Sequence, residues 1–272
     1  MNVDALFVTV SYNNTDMTFQ FIESWIGIDK SDENILIVVD NSREEDFYLK
    51  NKIEKYDNIY YIRQSENRGY MAGCNYGLEY AKEELKLKCK AIIYSNNDIT
   101  FESTDIITKI CHHFLNDNDL AVIAPSVWDA FENKEFNPFM VNRPPLKHFV
   151  RMRKVFQNYC TAKIIEWVAK KRPRKNKGHF KSGTVIYAPH GAIFILNARF
   201  FYNNLPDDMY FLYGEEITVG EFCCENNKTV VVDFNIKIKH HSHSTTGRGL
   251  SKFTFMAKKN AINYLMKKYK WI

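Results

Sequence analysis

Four short apolar runs in the first hundred residues, each leading toward polar or acidic side chains, constrain the fold more than any other feature. Ala5-Leu6-Phe7-Val8-Thr9-Val10 leads into Ser11-Tyr12-Asn13-Asn14, and Ile35-Leu36-Ile37-Val38-Val39 into Asp40-Asn41-Ser42. Ile59-Tyr60-Tyr61-Ile62 is the third, and Ala91-Ile92-Ile93 leads into Tyr94-Ser95-Asn96-Asn97-Asp98. Runs of this length without polar alternation read as strands buried on both faces. Between them the spacing turns helical. Asn14 or Thr15 can cap a helix bearing Phe19, Ile22, Trp25 and Ile26, and the glycine-rich stretch from Asn67 opens another that runs to about residue 88. Strand alternating with helix implies a mostly parallel central sheet with helices on both faces. The polar ends then gather at its carboxyl edge, where open α/β sheets bind ligands.

Further along, residues 105–114 read as a helix and Leu120-Ala121-Val122-Ile123-Ala124 as a strand. From about residue 131 to 181 the pattern breaks. Pro144-Pro145 precedes an amphipathic stretch with Phe149, Met152, Phe156, Ile164 and Trp167 at near-helical spacing, then the run Lys170-Lys171-Arg172-Pro173-Arg174-Lys175. Strands resume at Thr184-Val185-Ile186-Tyr187, at Gly191-Ala192-Ile193-Phe194-Ile195-Leu196 and at Thr229-Val230-Val231-Val232. The chain closes with His240-His241-Ser242-His243 and a lysine-rich helix.

Charge is concentrated in one place. The chain is +5 overall, but residues 143–181 hold 13 Lys/Arg against the single acid Glu166, which leaves 24 basic and 31 acidic residues elsewhere. One basic contact surface on an otherwise acidic protein follows. An amphipathic helix on anionic lipid fits it, as do a solvated helix or a homodimer contact; no nucleic-acid motif accompanies the charge. The six cysteines show no C-x-x-C spacing, which suits reduced thiols and speaks against zinc. No apolar run reaches 18 residues and the start lacks a leader pattern, so a cytoplasmic protein is expected, peripheral on the inner face of the cell membrane if the basic helix engages lipid.

Several of these residues suit chemistry, and each also has a plain structural use. Asp40 can accept the N3–H of a pyrimidine, or simply end its strand. Asn67-Arg68-Gly69 sits where a loop becomes a helix, with free N–H groups and a guanidinium for a diphosphate; Gly73 and Gly77 equally suit close packing of helix on sheet. Asn96-Asn97-Asp98 can hold a divalent ion, or form a turn. Glu215-Glu216, behind the aromatic wall of Tyr210, Phe211 and Tyr213, can supply a general base with a raised pKa, or complement a helix dipole. His240 can ligate a metal.

Taken together, these stretches resemble the family 2 (GT-A) glycosyltransferases, in particular a bacterial rhamnosyltransferase-like branch. Val10-Ser11-Tyr12-Asn13 and Val38-Val39-Asp40-Asn41-Ser42 are similar to that family's nucleotide-contacting strand ends. Asn67-Arg68-Gly69-Tyr70-Met71-Ala72-Gly73-Cys74-Asn75-Tyr76-Gly77 resembles its N-x-G-[FY]-x-x-G-x-N-x-G segment, the most specific match. Asn96-Asn97-Asp98 stands where the family has a D-x-D-type metal motif. Gly191-Ala192, Pro206-Asp207-Asp208-Met209-Tyr210-Phe211 and Glu215-Glu216 resemble its acceptor-side motifs, and Ile238-Lys239-His240 with Ser244-Thr245 its V-x-H-x-x-x-S-T ending.

The resemblance implies a Rossmann-like GT-A domain over 1–272. Residues 1–125 would form the nucleotide-sugar half, 142–181 a basic helical insertion, 182–250 the acceptor and catalytic half, and 251–272 a C-terminal helix. It implies an inverting transferase in bacterial surface polysaccharide synthesis, moving a sugar from dTDP-rhamnose or a UDP-hexose to a glycan or lipid-linked glycan. Val10, Ser11, Tyr12, Asp40, Asn67, Arg68, Gly73 and Asn97 would bind the donor. Asp98, Asn96 and His240 would hold Mn²⁺ or Mg²⁺, Glu216 would be the base, and Glu215 and Asp208 would orient the acceptor. The departures are Asn96 for the first metal-motif aspartate, Glu216 for an aspartate, and the unmatched insertion. The rival readings are a sugar-phosphate nucleotidyltransferase, whose glycine- and lysine-rich first loop is missing here, and a non-catalytic membrane-associated relic.

Overall fold

The computed structural model describes residues 1–171, 180–241 and 250–271. In chain order its elements are β1 (Asn2–Ser11), α1 (Thr15–Ile26), β2 (Ile35–Asp40), α2 (Phe47–Ile53), β3 (Ile59–Arg63), α3 (Tyr70–Glu83), β4 (Lys88–Asn96), β5 (Ile99–Phe101), α4 (Ile106–Asn116) and β6 (Leu120–Asp129). There follow β7 (Lys134–Glu135), α5 (Leu146–Val155), α6 (Tyr159–Lys171), β8 (Val185–Ile186), β9 (Ile193–Asn197), α7 (Ala198–Phe201), α8 (Glu215–Glu225), β10 (Thr229–His240) and α9 (Lys252–Lys268).

The strands form one sheet in the order β3-β2-β1-β4-β9-β6-β10-β5, with β7 on β6 and β8 on β10. Parallel pairing links β3, β2, β1 and β4, and likewise β6 and β10, while β9 runs antiparallel between β4 and β6. That single reversal leaves β4, β6 and β10 pointing the same way, so the carboxyl ends of β1, β2, β4, β6 and β10 share one edge. Because strand side chains alternate, Phe7, Val38 and Ile93 face one layer and Val8, Val39 and Tyr94 the other. The first layer takes Phe21, Ile22 and Trp25 of α1 and Ile106, Ile107 and Ile110 of α4; the second takes Met71, Cys74 and Leu78 of α3 and Val219 and Cys223 of α8. Gly73 and Gly77 let α3 sit close on the sheet: a Cβ would fall 2.8 Å from Val10 Cγ2 at the first and 2.4 Å from Val8 Cγ1 at the second.

Three departures from the sequence reading bear on the site. The sixth strand runs five residues beyond Ala124, to Asp129; opposite Pro125, which has no N–H to give, β10 bulges between Asp233 and Lys237 and pairing then resumes. A short β5 returns after Asp98 to pair antiparallel with β10. The amphipathic stretch is two helices, because the Asn158 side chain accepts from the N–H groups of Cys160 (2.8 Å) and Thr161 (3.3 Å) and starts a new one. The expected apolar stripe is thereby divided. Phe149 (5% exposed) packs with Leu265 and Met266 of α9, and Phe156 (7%) with Phe255 of α9, while Ile164 (62%) and Trp167 (58%) face outward. The basic run 172–177 and the Ser244-Thr245 match lie outside the described residues.

Candidate active site

The shared strand edge borders a cleft of about 510 Å³. Val10 and Tyr12 line it from the end of β1, Asn41 from β2, Asn67 and Gly69 from the loop before α3, Asn96, Asn97 and Asp98 from the end of β4, and His240 from β10. Glu215 and Glu216 enter from the start of α8, with Phe211, Leu212 and Tyr213 before them. Backbone hydrogen bonds hold the 96–98 turn: Asn96 N donates to the Ala192 carbonyl (2.9 Å) and His241 N to that of Asp98 (2.8 Å). Asn97 Nδ2 donates to Thr18 Oγ1 (2.9 Å), which shares a hydrogen bond with Ser11 Oγ (2.8 Å). Ser11 is therefore buried beneath the cleft and braces it rather than lining it. Gly69 has φ 101°, and a Cβ there would fall 1.9 Å from the Phe211 carbonyl oxygen, so this corner is where the chain's two halves close on each other.

On one side, Asp98 Oδ1 lies 3.2 Å from His240 Nε2. Neighbouring ligand atoms around an octahedral ion bound at 2.0–2.1 Å stand roughly 3 Å apart, so this pair matches two adjacent positions of such an ion. Among the described residues no three His, Cys, Asp or Glu side chains cluster as a metal site. The donor set thus suits an ion that completes its shell with phosphate oxygens and water rather than an all-protein cage. Behind His240, its Nδ1 lies 3.5 Å from Oδ2 of the fully buried Asp129, which the register places beside it.

On the other side stand two carboxylates among apolar groups. Glu215 is buried; desolvation first, then the charge of Glu216, pushes its pKa up to about 8. Its Oε1 accepts from Tyr213 N (3.1 Å). Glu216 is also raised by desolvation, opposed by backbone N–H groups including that of Gly191, and it is the more exposed of the two. At Gly191 a Cβ would meet Glu216 Oε1 at 2.7 Å, so the glycine makes room for the carboxylate.

Four other expected site residues do not line the cleft. Asp40 is fully buried, its carboxylate accepting from Ser42 N (2.9 Å), Asp46 N (3.1 Å) and Tyr61 Oη (2.6 Å). Arg68 is exposed beside the cleft, and Gly73 is filled over by the Val10 side chain. Asp208 accepts from Asn75 Nδ2 (3.1 Å), tying the 206–208 loop to α3. The structure adds Asn41, Glu132, Phe136, His190 and Phe253 to the lining. His190 stacks on Phe136 (centroids 4.6 Å, 14° between planes) and sits 5.7 Å from the His240 ring. Its position immediately before Gly191-Ala192 was the only sequence signal for it.

A mostly parallel sheet covered by helices on both faces, with a cleft at the carboxyl edge of its strands, is the architecture of the GT-A class of glycosyltransferase. The family model described as glycosyl transferase family 2 matches residues 7–183. The chain belongs to that family. Among solved structures it is similar to GalNAc-T7 with UDP, GalNAc and Mn²⁺ (TM-score 0.65, 12% identity, covering 98% of this chain and 48% of that one). It is also similar to S. aureus TarS (TM-score 0.57, 10% identity, 89% and 37%) and to TarS 1-349 (0.56, 10%, 98% and 73%). The chain spans less than half the length of the first two. No curated protein sequence matches it.

Proposed function

We propose that this chain catalyses an inverting transfer of a sugar from a nucleoside diphosphate to an acceptor hydroxyl. The observation that carries the reading is that the Asp98–His240 pair and the Glu215–Glu216 pair border one cleft whose far wall is built from strand ends. Val10, Tyr12, Asn41 and Asn67 would contact the nucleotide. Asp40 and Ser11 would hold those contacts in place from beneath, and Arg68 would reach the diphosphate. Gly73 would let α3 close on the strand that carries Val10, and Asn97 would keep the 96–98 turn open to the ligand. Asp98 and His240, with Asn96 beside them, would hold a divalent ion, Mn²⁺ or Mg²⁺, which would neutralise charge on the leaving diphosphate.

The acceptor oxygen attacks the anomeric carbon from the face opposite the diphosphate; the new C–O bond forms as the C–O bond to phosphate breaks, and the acceptor proton passes to Glu216. Glu216 suits that task because it is the less buried carboxylate. Glu215, protonated near neutral pH by its burial, can donate a hydrogen bond to an acceptor hydroxyl. Asp208 would shape the acceptor side by fixing its loop. The rings of Phe211, Tyr213 and Phe253 offer flat apolar faces to an acceptor sugar. We assign the donor to dTDP-rhamnose or a UDP-hexose and the acceptor to a glycan or lipid-linked glycan of a bacterial surface polysaccharide, following the rhamnosyltransferase-like motifs. In this reading residues 1–125 serve the donor and 182–250 the acceptor.

The proposal extends to a membrane surface. No described helix is long and apolar enough to cross a membrane. Lys147, Arg151, Arg153 and Lys154 of α5 are exposed alongside Leu146 and Val150, and Lys163 of α6 alongside Ile164 and Trp167. Cationic and apolar groups together suit an anionic lipid headgroup layer. Incubation with a panel of UDP-, dTDP- and GDP-sugars, with detection of the released nucleotide, tests the reaction. Absence of sugar release or transfer from every donor, with Mn²⁺ or Mg²⁺ present, would sink it.

A further inference from the structure

We propose that Asp129 is the positioning residue that sets His240 for metal binding by fixing which ring nitrogen carries the proton. Asp129 has no exposed surface and lies at the end of β6, in register with His240 at the end of β10. Its two oxygens divide their work. Oδ1 accepts from Phe131 N (3.1 Å) and Glu132 N (2.5 Å), closing the turn that follows the strand. Oδ2 makes no hydrogen bond among the described residues, and neither does His240 Nδ1; the two atoms face each other at 3.5 Å. Buried polar atoms left without partners are costly, and a small rotation of the ring closes this gap to a hydrogen bond. A carboxylate accepts only, so the proton of that bond belongs to Nδ1.

The consequence lies on the opposite side of the ring. With Nδ1 holding the proton, Nε2, 3.2 Å from Asp98 Oδ1, presents its lone pair where the ion would sit. The ring itself is held by the Phe136 ring, with centroids 6.3 Å apart and planes at 62°. The strand pairing that puts position 129 beside position 240 therefore does more than close the sheet: it places an orienting carboxylate behind the ligand.

The inference rests on the proposed metal site, and the tests separate its failure from failure of the transferase reading. In Asp129→Asn, Oδ1 can still close the turn, but an NH₂ then faces Nδ1 and drives the proton to Nε2. Titration of Mn²⁺ into the protein with UDP should show roughly 10- to 100-fold weaker metal binding in this variant. Metal-free UDP affinity and the unfolding temperature should stay near wild type. Because Asp98 also faces the ring in metal-free protein, at Nε2, the tautomer is read in an Asp98→Ala background. ¹⁵N spectra of histidine-labelled, metal-free Asp98→Ala, with His240 assigned by its loss on adding His240→Ala, should show the Nδ1–H tautomer, and Nε2–H once Asp129→Asn is added. Both readouts are independent of sugar transfer. Unchanged Mn²⁺ affinity in Asp129→Asn, or an Nε2–H tautomer in Asp98→Ala, overturns the proposal. If Asp129→Asn does not fold, the tautomer in Asp98→Ala decides alone.

Discussion

The two sides of the cleft use carboxylates in opposite ways. Asp98 stands at a strand end beside an imidazole, where backbone and side-chain contacts hold an anion next to a group that can share a cation. Glu215 and Glu216 stand at a helix start behind Tyr210, Phe211 and Tyr213, where loss of water makes charge costly and raises both pKa values. The first environment suits holding positive charge; the second suits taking up a proton. Residue type is nearly the same on both sides and Asp98 is as buried as Glu215, so the neighbours, an imidazole on one side and aromatic rings with a second carboxylate on the other, decide the task.

The largest effect should come from the glutamate side. Glu216→Gln keeps the shape but removes the proton acceptor, so turnover should fall by roughly 10²–10⁴ with UDP affinity unchanged. It also removes the second cause of the Glu215 shift, so the Glu215 titration should move down from about 8. Full turnover in this variant, with the loss seen instead in Glu215→Gln, would exchange the two roles.

On the other side, Asp98→Ala should remove the Mn²⁺-dependent part of UDP binding, read by calorimetry with and without the ion. Asn96→Asp should strengthen it by adding a carboxylate. Equal Mn²⁺ dependence in wild type and Asp98→Ala would separate the ion from this wall altogether.

A smaller effect concerns stability. Glu215 ionises near 4.5 when unfolded but near 8 when folded, so protonation favours the fold. Its contribution is complete below about pH 4.5 and is lost as pH rises toward 8. Glu215→Gln should flatten that slope and raise the unfolding temperature at pH 8 by a few degrees, about 2–4 °C per kcal/mol recovered. A melting-temperature profile between pH 5 and 8 that is unaltered by the substitution would place Glu215 in a wetter environment than its burial beside Tyr213 provides.

The smallest effects belong outside the cleft. Each exposed cation of α5 should contribute about 1 kcal/mol near anionic lipid, screened beyond roughly 8–10 Å at ordinary salt. Charge reversal at Lys147, Arg151 and Lys154 should therefore release the protein from phosphatidylglycerol vesicles in co-sedimentation while sparing nucleotide binding. Binding that is equal on neutral and anionic vesicles, or absent from both, would leave this face as solvated helix or protein contact.

Much of this was legible in the chain itself. Continuous apolar runs required strands buried on both faces, and the polar residues after them required an edge, which is why Tyr12, Asn67, Asn97 and Asp98 could be placed beside a cleft without coordinates. The Glu215-Glu216 pair was read instead from a helix start behind Tyr210, Phe211 and Tyr213. The order of residues also set Gly73 and Gly77 one helical turn apart on one face of α3. Other assignments depended on neighbours far away in sequence. Asp40 has the residue type of a base-reading carboxylate, yet Tyr61, Ser42 and Asp46 occupy it. Phe149 and Phe156 shared a helical stripe with Ile164 and Trp167 until α9 covered the first two. Asp129 fell beyond the expected strand end, because local pattern does not reveal that β10 supports β6 past Pro125. Periodicity and residue type are local properties and fix which elements form; which side chains meet, which lose water and which are already satisfied depend on strand order and helix docking, and only the folded chain decides those.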